Sequence, residues 1–145
     1  MISQLRTKVI EFFSARQEGL AAVVLFGSQV DGSAKEESDV DVALLFSHES
    51  KPTGMELWSQ RQELAEWLGK EVDLVLLNGA SPLLAMQVFK KGEELFVPDR
   101  KSYDQFVMTL FTDYADLTLI RQPMIEAMAR RNYFTLDPSL NEEPT

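Results

Sequence analysis

The sequence has no cysteine in 145 residues, which excludes a disulfide framework, a thiolate metal site and a cysteine nucleophile. Its single histidine, His48, stands among polar neighbours and reads as a surface residue rather than a base or ligand. No apolar run approaches the ~20 residues that a membrane span needs. The N-terminus MISQLRTKVIEFF carries polar residues where a signal peptide would be apolar. The expected compartment is therefore the cytoplasm. Basic side chains are also few: 14 Lys and Arg stand against 23 Asp and Glu, a formal net charge of −9. Non-specific nucleic-acid binding draws its affinity from Lys and Arg on phosphates, so a tRNA-end or poly(A)-adding role does not fit. An acidic chain can still take a nucleotide when Mg²⁺ mediates the contact.

What is present is the ordinary balance of a globular protein, 45% hydrophobic and 26% charged, which excludes disorder. The length fits one domain, expected over residues 1–136 with a mobile tail at 137–145. Apolar residues at 2, 5, 9, 12 and 13 predict a first helix, and Gly19 turns the chain into AAVVLFGS, a buried strand. QVDGSAKEES is a loop, or a loop with one helical turn, before a second strand, DVDVALLF. A helix over Met55–Leu68 with Gly69 as its cap leads to a third strand, EVDLVLLN. Ser81 and Pro82 open a short helix that ends before Gly92, and EELFVP reads as an edge strand. A long helical pattern then runs from Asp99 to about Arg131, with Pro123 expected to kink or end a segment. The fold class is α/β (α+β), with a long C-terminal helix.

The chemistry lies between Leu25 and Leu45. Gly27 and Ser28 close the first strand, ten residues intervene, and Asp39-Val40-Asp41 opens the second. Residues two apart on a strand share a face and sit roughly 6.5–7 Å apart. Asp73, near the start of the third strand, would join them if that strand lies beside the second. Like charges about 4 Å apart repel by roughly 4 kcal/mol at an effective dielectric of 20, a cost that divalent cations remove. Two metals could then hold the attacking and leaving oxygens of an in-line phosphoryl displacement. Gly27 lets backbone N–H groups approach a phosphate, and the Ser28 hydroxyl adds a donor. A single Asp at a strand end is most simply a turn former, and Gly-Ser alone means nothing. The combination is what carries the signal.

LFGSQVDGSAKEESDVDVALLF resembles the Gly-Ser…Asp-x-Asp signature of the DNA polymerase β-like nucleotidyltransferase superfamily. The resemblance is closest to the minimal (MNT) branch, and within it to the MntA-type antitoxins encoded beside HEPN-domain toxins. EVDLVLLNGASPLLAMQVFKKGEELFVPD and YADLTLIRQ are also similar to that branch, so the match spans roughly Leu20 to Gln122. It implies a nucleotidyltransferase fold, a small mixed sheet flanked by helices, that uses ATP with one or two Mg²⁺ ions, for which Mn²⁺ could substitute. It also implies transfer of AMP to a tyrosine hydroxyl of a HEPN ribonuclease toxin. By that resemblance Gly27 and Ser28 hold phosphate, Asp39 and Asp41 are metal ligands, and Asp73 is the third carboxylate, which helps to activate the acceptor. The resemblance departs at two places: Gln29, Val30 and Asp31 stand where many relatives carry an Arg, and so does Gly79.

Other residues are weaker candidates. Lys35 could reach a phosphate or be a solvated loop lysine. Trp58 and Trp67 read as core, and Tyr103, Phe106, Phe111 and Tyr114 as the helix face that covers the sheet. A 30-residue helix is roughly 45 Å long, so part of its apolar stripe could serve a partner instead. Two other functions stay open: a non-catalytic antitoxin that blocks its toxin by binding, and a small-molecule nucleotidyltransferase.

Overall fold

A computed structural model of the chain describes residues 3–16, 18–35, 38–47 and 50–130, with side chains as far as 116. His48 and the tail at 137–145 lie outside the described residues. Ser3 accepts a hydrogen bond from the Arg6 amide and so starts α1 (Gln4–Ser14), which buries Val9, Phe12 and Phe13. β1 (Leu20–Phe26) follows, then α2 (Ser28–Asp31), which is the single helical turn that the polar loop allowed. β2 spans Val40–Phe46, so Asp39 stands one residue before the strand rather than in it. α3 (Gly54–Leu68) opens on a reciprocal capping box between Thr53 and Glu56 and closes on Gly69 at φ 68°. β3 (Val72–Leu76), α4 (Pro82–Lys91), β4 (Glu93–Phe96) and α5 (Arg100–Arg130) complete the order.

The four strands form one sheet in the order β3-β2-β1-β4. β1 runs antiparallel to both β2 and β4, while β2 and β3 are parallel. β3 therefore does lie beside β2, and β4 is the edge strand expected. Asn78 extends the β2–β3 pairing by exchanging two side-chain hydrogen bonds with the Phe46 backbone. The alternation of side chains divides the sheet between two jobs. Val23, Leu25, Val40, Val42, Leu44, Val72 and Leu74 pack with Phe12, Phe13 and Leu64 in the main core. The opposite face carries Phe26, Asp41 and Asp73, which the registers Phe26↔Asp41 and Asp41↔Asp73 place in one row.

Several expectations change on the helices. Gly92 ends α4 without a left-handed turn; a side chain there would strike the Val88 carbonyl and Val24, so contact rather than torsion demands glycine. Trp58 and Trp67 are not core: they are 54% and 42% exposed, because α3 turns Leu57, Leu64 and Leu68 inward and leaves the indoles at the flanks. Trp67 rests against Phe12, ring centroids 6.3 Å apart. On α5, Tyr103 and Leu110 are buried, while Phe111 is exposed, since adjacent positions on a helix point about 100° apart. The chain divides into two units, up to Leu110 and from Phe111 onward. α5 runs through Pro123 without ending, as a helix this long can lose one hydrogen bond of its ladder. Among the described residues no helix is long and apolar enough to cross a membrane.

Candidate active site

The end of β1 and the beginning of β2 meet at the Phe26↔Asp41 pair. Directly after Phe26 the chain must leave the sheet, and it does so at Gly27 with φ 77°. That torsion favours glycine, and space demands it too: a Cβ at Gly27 would collide with the Asp41 carboxylate. The glycine of the Gly-Ser pair is therefore bound to the second carboxylate of the Asp-x-Asp pair by contact, although the two are far apart in sequence. Ser28 then begins α2, whose turn is closed by hydrogen bonds from the Val30 and Asp31 amides to the Gly27 carbonyl.

Asp41 is half-buried, whereas Asp39 and Asp73 are exposed. Burial pushes the Asp41 carboxyl above its ordinary range, and the charges of Asp73 and Asp39 push it further the same way. The three carboxylates that the sequence singles out thus feel one another, with Asp41 in the middle. Among the described residues no group of three or more acidic or imidazole side chains is gathered closely enough to hold a metal ion. An open set of carboxylate oxygens nevertheless suits Mg²⁺, which binds through one or two carboxylates and takes further ligands from substrate phosphates.

Two further residues tie the surrounding elements together: Gln29, which the sequence marks only as a departure from the motif, and Arg6, which it does not mark at all. The Gln29 side-chain amide donates to the Asp39 carbonyl at 3.3 Å and ties α2 to the start of β2. Arg6 on α1 donates to the Gln29 carbonyl at 3.2 Å while its Nε and Nη2 grip Glu93 at 2.7 and 3.0 Å. Nothing local in the sequence marks Arg6, because its partners come from α2 and β4 and meet it only in the folded chain. Lys35 donates its backbone amide to the Ser38 hydroxyl within the loop, and the residue is exposed.

Residues 7–101, which hold the Gly27 turn and all three aspartates, match the family described as polymerase beta, nucleotidyltransferase. The chain belongs to this nucleotidyltransferase family. It is 30% identical to a protein adenylyltransferase MntA of Shewanella oneidensis over 119 residues, 82% of this chain and 84% of that one. A protein adenylyltransferase MntA of Aphanizomenon flos-aquae is 28% identical, covering 74% of this chain and 77% of the relative. Among solved structures, a chain of a toxin–antitoxin crystal structure with AMP-PNP superposes with a TM-score of 0.74 at 29% identity. That match covers 85% of this chain and 97% of the other. A chain from the complex of tri-AMPylated Shewanella oneidensis HEPN toxin with MNT antitoxin gives 0.69 at 27% identity, over 86% and 95%. The nucleotidyltransferase fold that the Gly-Ser…Asp-x-Asp pattern implied is the fold found.

Proposed function

We propose that this nucleotidyltransferase is an antitoxin that transfers AMP from ATP to a tyrosine hydroxyl of a HEPN-domain ribonuclease toxin and so silences it. The observation that carries the reading is the near full-length match to protein adenylyltransferases MntA, which extends beyond the nucleotidyltransferase core into α5. In this reading Gly27 and Ser28 hold the phosphates, Asp39 and Asp41 are the metal ligands with Asp73 as the third, and Mg²⁺ or Mn²⁺ fills the site. A bound divalent ion would offset the carboxylate charge and polarise the α-phosphate. The tyrosine oxygen attacks the α-phosphorus in line, the bond to the bridging oxygen breaks, and pyrophosphate leaves with the electron pair. Asp73, exposed and in register with Asp41, takes the phenolic proton, which at a pKa of about 10 needs a base. Gln29 and Arg6 keep the turn and Asp39 in place.

A covering antitoxin would need no row of mutually repelling aspartates, which cost stability unless a ligand uses them. The experiment that separates the two readings mixes a small amount of this protein with excess HEPN partner, ATP and Mg²⁺. Residual ribonuclease activity should vanish well below equimolar ratio, and the recovered toxin should gain mass in whole AMP units. Neutralisation that needs equimolar protein, ignores ATP and leaves the toxin's mass unchanged rejects the enzyme.

A further inference from the structure

The face of the sheet that carries Asp41 also carries a cavity of about 250 Å³, bounded by Phe26, the Gly27–Asp31 turn and α4. Its wall holds two α4 side chains one helical turn apart, Gln87 and Lys91. The cavity thus begins where the phosphate-holding turn ends. Three features of its surroundings bear on what fits there.

The first is a shortage of cations. The turn itself offers Gln29, Val30 and Asp31, none of them positive. Arg6 lies nearby, but its guanidinium is taken up by Glu93, the Gln29 carbonyl and the Ser3 hydroxyl. The second is the state of Lys91, an exposed side chain that forms no ion pair among the described residues. The third is the state of Asp31, its one acidic neighbour on that wall. Asp31 is committed to its own loop, accepting from the Ser33 amide at 2.9 Å and from the Ser33 hydroxyl. Lys91 is therefore a cation on the wall of the turn's cavity that feels the charge of Asp31 but forms no ion pair with it, since Asp31 is held by Ser33.

A nucleoside triphosphate placed with its α-phosphate at the aspartates has two more phosphates to accommodate. Their charge grows when the α-phosphorus bond breaks, because pyrophosphate leaves with the electron pair. We propose that Lys91, with Gln87 beside it, holds the β- and γ-phosphates of the nucleotide in this cavity, and so stands in for a cation missing from the turn. The proposal rests on the reading of the chain as an ATP-using transferase, and it adds a residue that no part of the Gly-Ser…Asp-x-Asp pattern contains.

The test is equilibrium binding, by calorimetry with Mg²⁺ present, of three probes: ATP, inorganic pyrophosphate and AMP. Lys91→Ala should weaken ATP and pyrophosphate about tenfold, as expected for loss of a charge-assisted contact, and leave AMP unchanged. Lys91→Arg should restore both. Lys51→Ala removes the same charge beside Phe46, at the other end of β2, and should change none of the three. Lys91 is exposed, so all variants should melt with the wild type. Wild-type affinity for ATP and pyrophosphate in Lys91→Ala overturns the proposal while leaving the transferase reading intact. So does a parallel loss of AMP binding. A wild-type protein that binds none of the three overturns both.

Discussion

The two faces of the sheet are built from the same strands and spend their side chains differently. On one, Val23, Leu25, Val42 and Leu44 meet Phe12, Phe13 and Leu64, and every one of these side chains is closed off from solvent. On the other, the rows pair Ala22 with Leu45 and Val24 with Ala43, all buried, and then reach Phe26, Asp41 and Asp73. Large branched side chains fill space and hold α1 and α3. The other face is apolar along most of its length, with Val24 and Leu45 buried, and turns to carboxylates only at the end where β1 gives way to Gly27. The lesson is a division of labour along the pleat: the packed face supplies the rigidity that lets the other face hold three like charges together. Neither face could do both, since a carboxylate in the main core would be unpaired, and a leucine at position 41 would put an apolar side chain where Asp41 lies beside Gly27.

The comparison breaks most sharply if Asp41 proves dispensable. Asp41→Asn keeps the size and removes the charge, so AMP transfer should fall by at least about a hundredfold. Stability should move the other way. A carboxyl whose folded pKa is raised penalises the fold once it ionises, a penalty that grows as pH rises through the carboxylate range. Asn removes the penalty, so the melting temperature in the absence of metal should rise by about 2 °C at neutral pH. Wild-type transfer by this variant would place the active site elsewhere.

The packed face should behave in reverse. Leu64 is fully buried in the main core, and Leu64→Ala should cost about 3 kcal/mol in denaturant unfolding. Its affinity for ATP, measured well below the melting transition, should stay at the wild-type value. A loss of affinity with the fold intact would mean that the two faces are less separate than the alternation of side chains makes them.

How much of this was legible from sequence follows the same division. The strands, the order of elements and the nearness of Asp39, Asp41 and Asp73 were readable because each follows from a local pattern of period two or a motif of fixed spacing. Gly69 and Ser81 were readable as caps because a cap acts on its own helix. Trp58, Trp67 and Phe111 were misjudged, since hydrophobicity alone does not say which flank of a helical stripe meets the sheet. Arg6 and Lys91 were invisible for another reason. Arg6 meets the Gln29 carbonyl, and Lys91 the cavity beside Gly27, only once the chain has folded into the strand order β3-β2-β1-β4.

The smallest effect lies outside the main core, on α5. The Tyr103 ring is buried, and burial is the main force that pushes its hydroxyl up to about 12, with Glu94 and Asp104 adding to the shift and Arg100 opposing it. An unfolded tyrosine releases its proton near pH 10, whereas the folded one holds it for about two further units. The neutral phenol is thus favoured in the fold. Its contribution is complete below pH 10 and is lost as pH climbs from 10 to 12, because there only the unfolded chain has given up the proton. Other groups titrate in the same window, so the measurement is a difference. Tyr103→Phe removes the phenol and keeps the ring, and should flatten the fall in unfolding free energy over that range by about 2 kcal/mol at most. ATP affinity at neutral pH should not change, as the hydroxyl is protonated in both states there. Parallel pH profiles for the two proteins would show that the ring is wetter than its burial implies. The first turns of α5 would then be a looser cover than either face of the sheet.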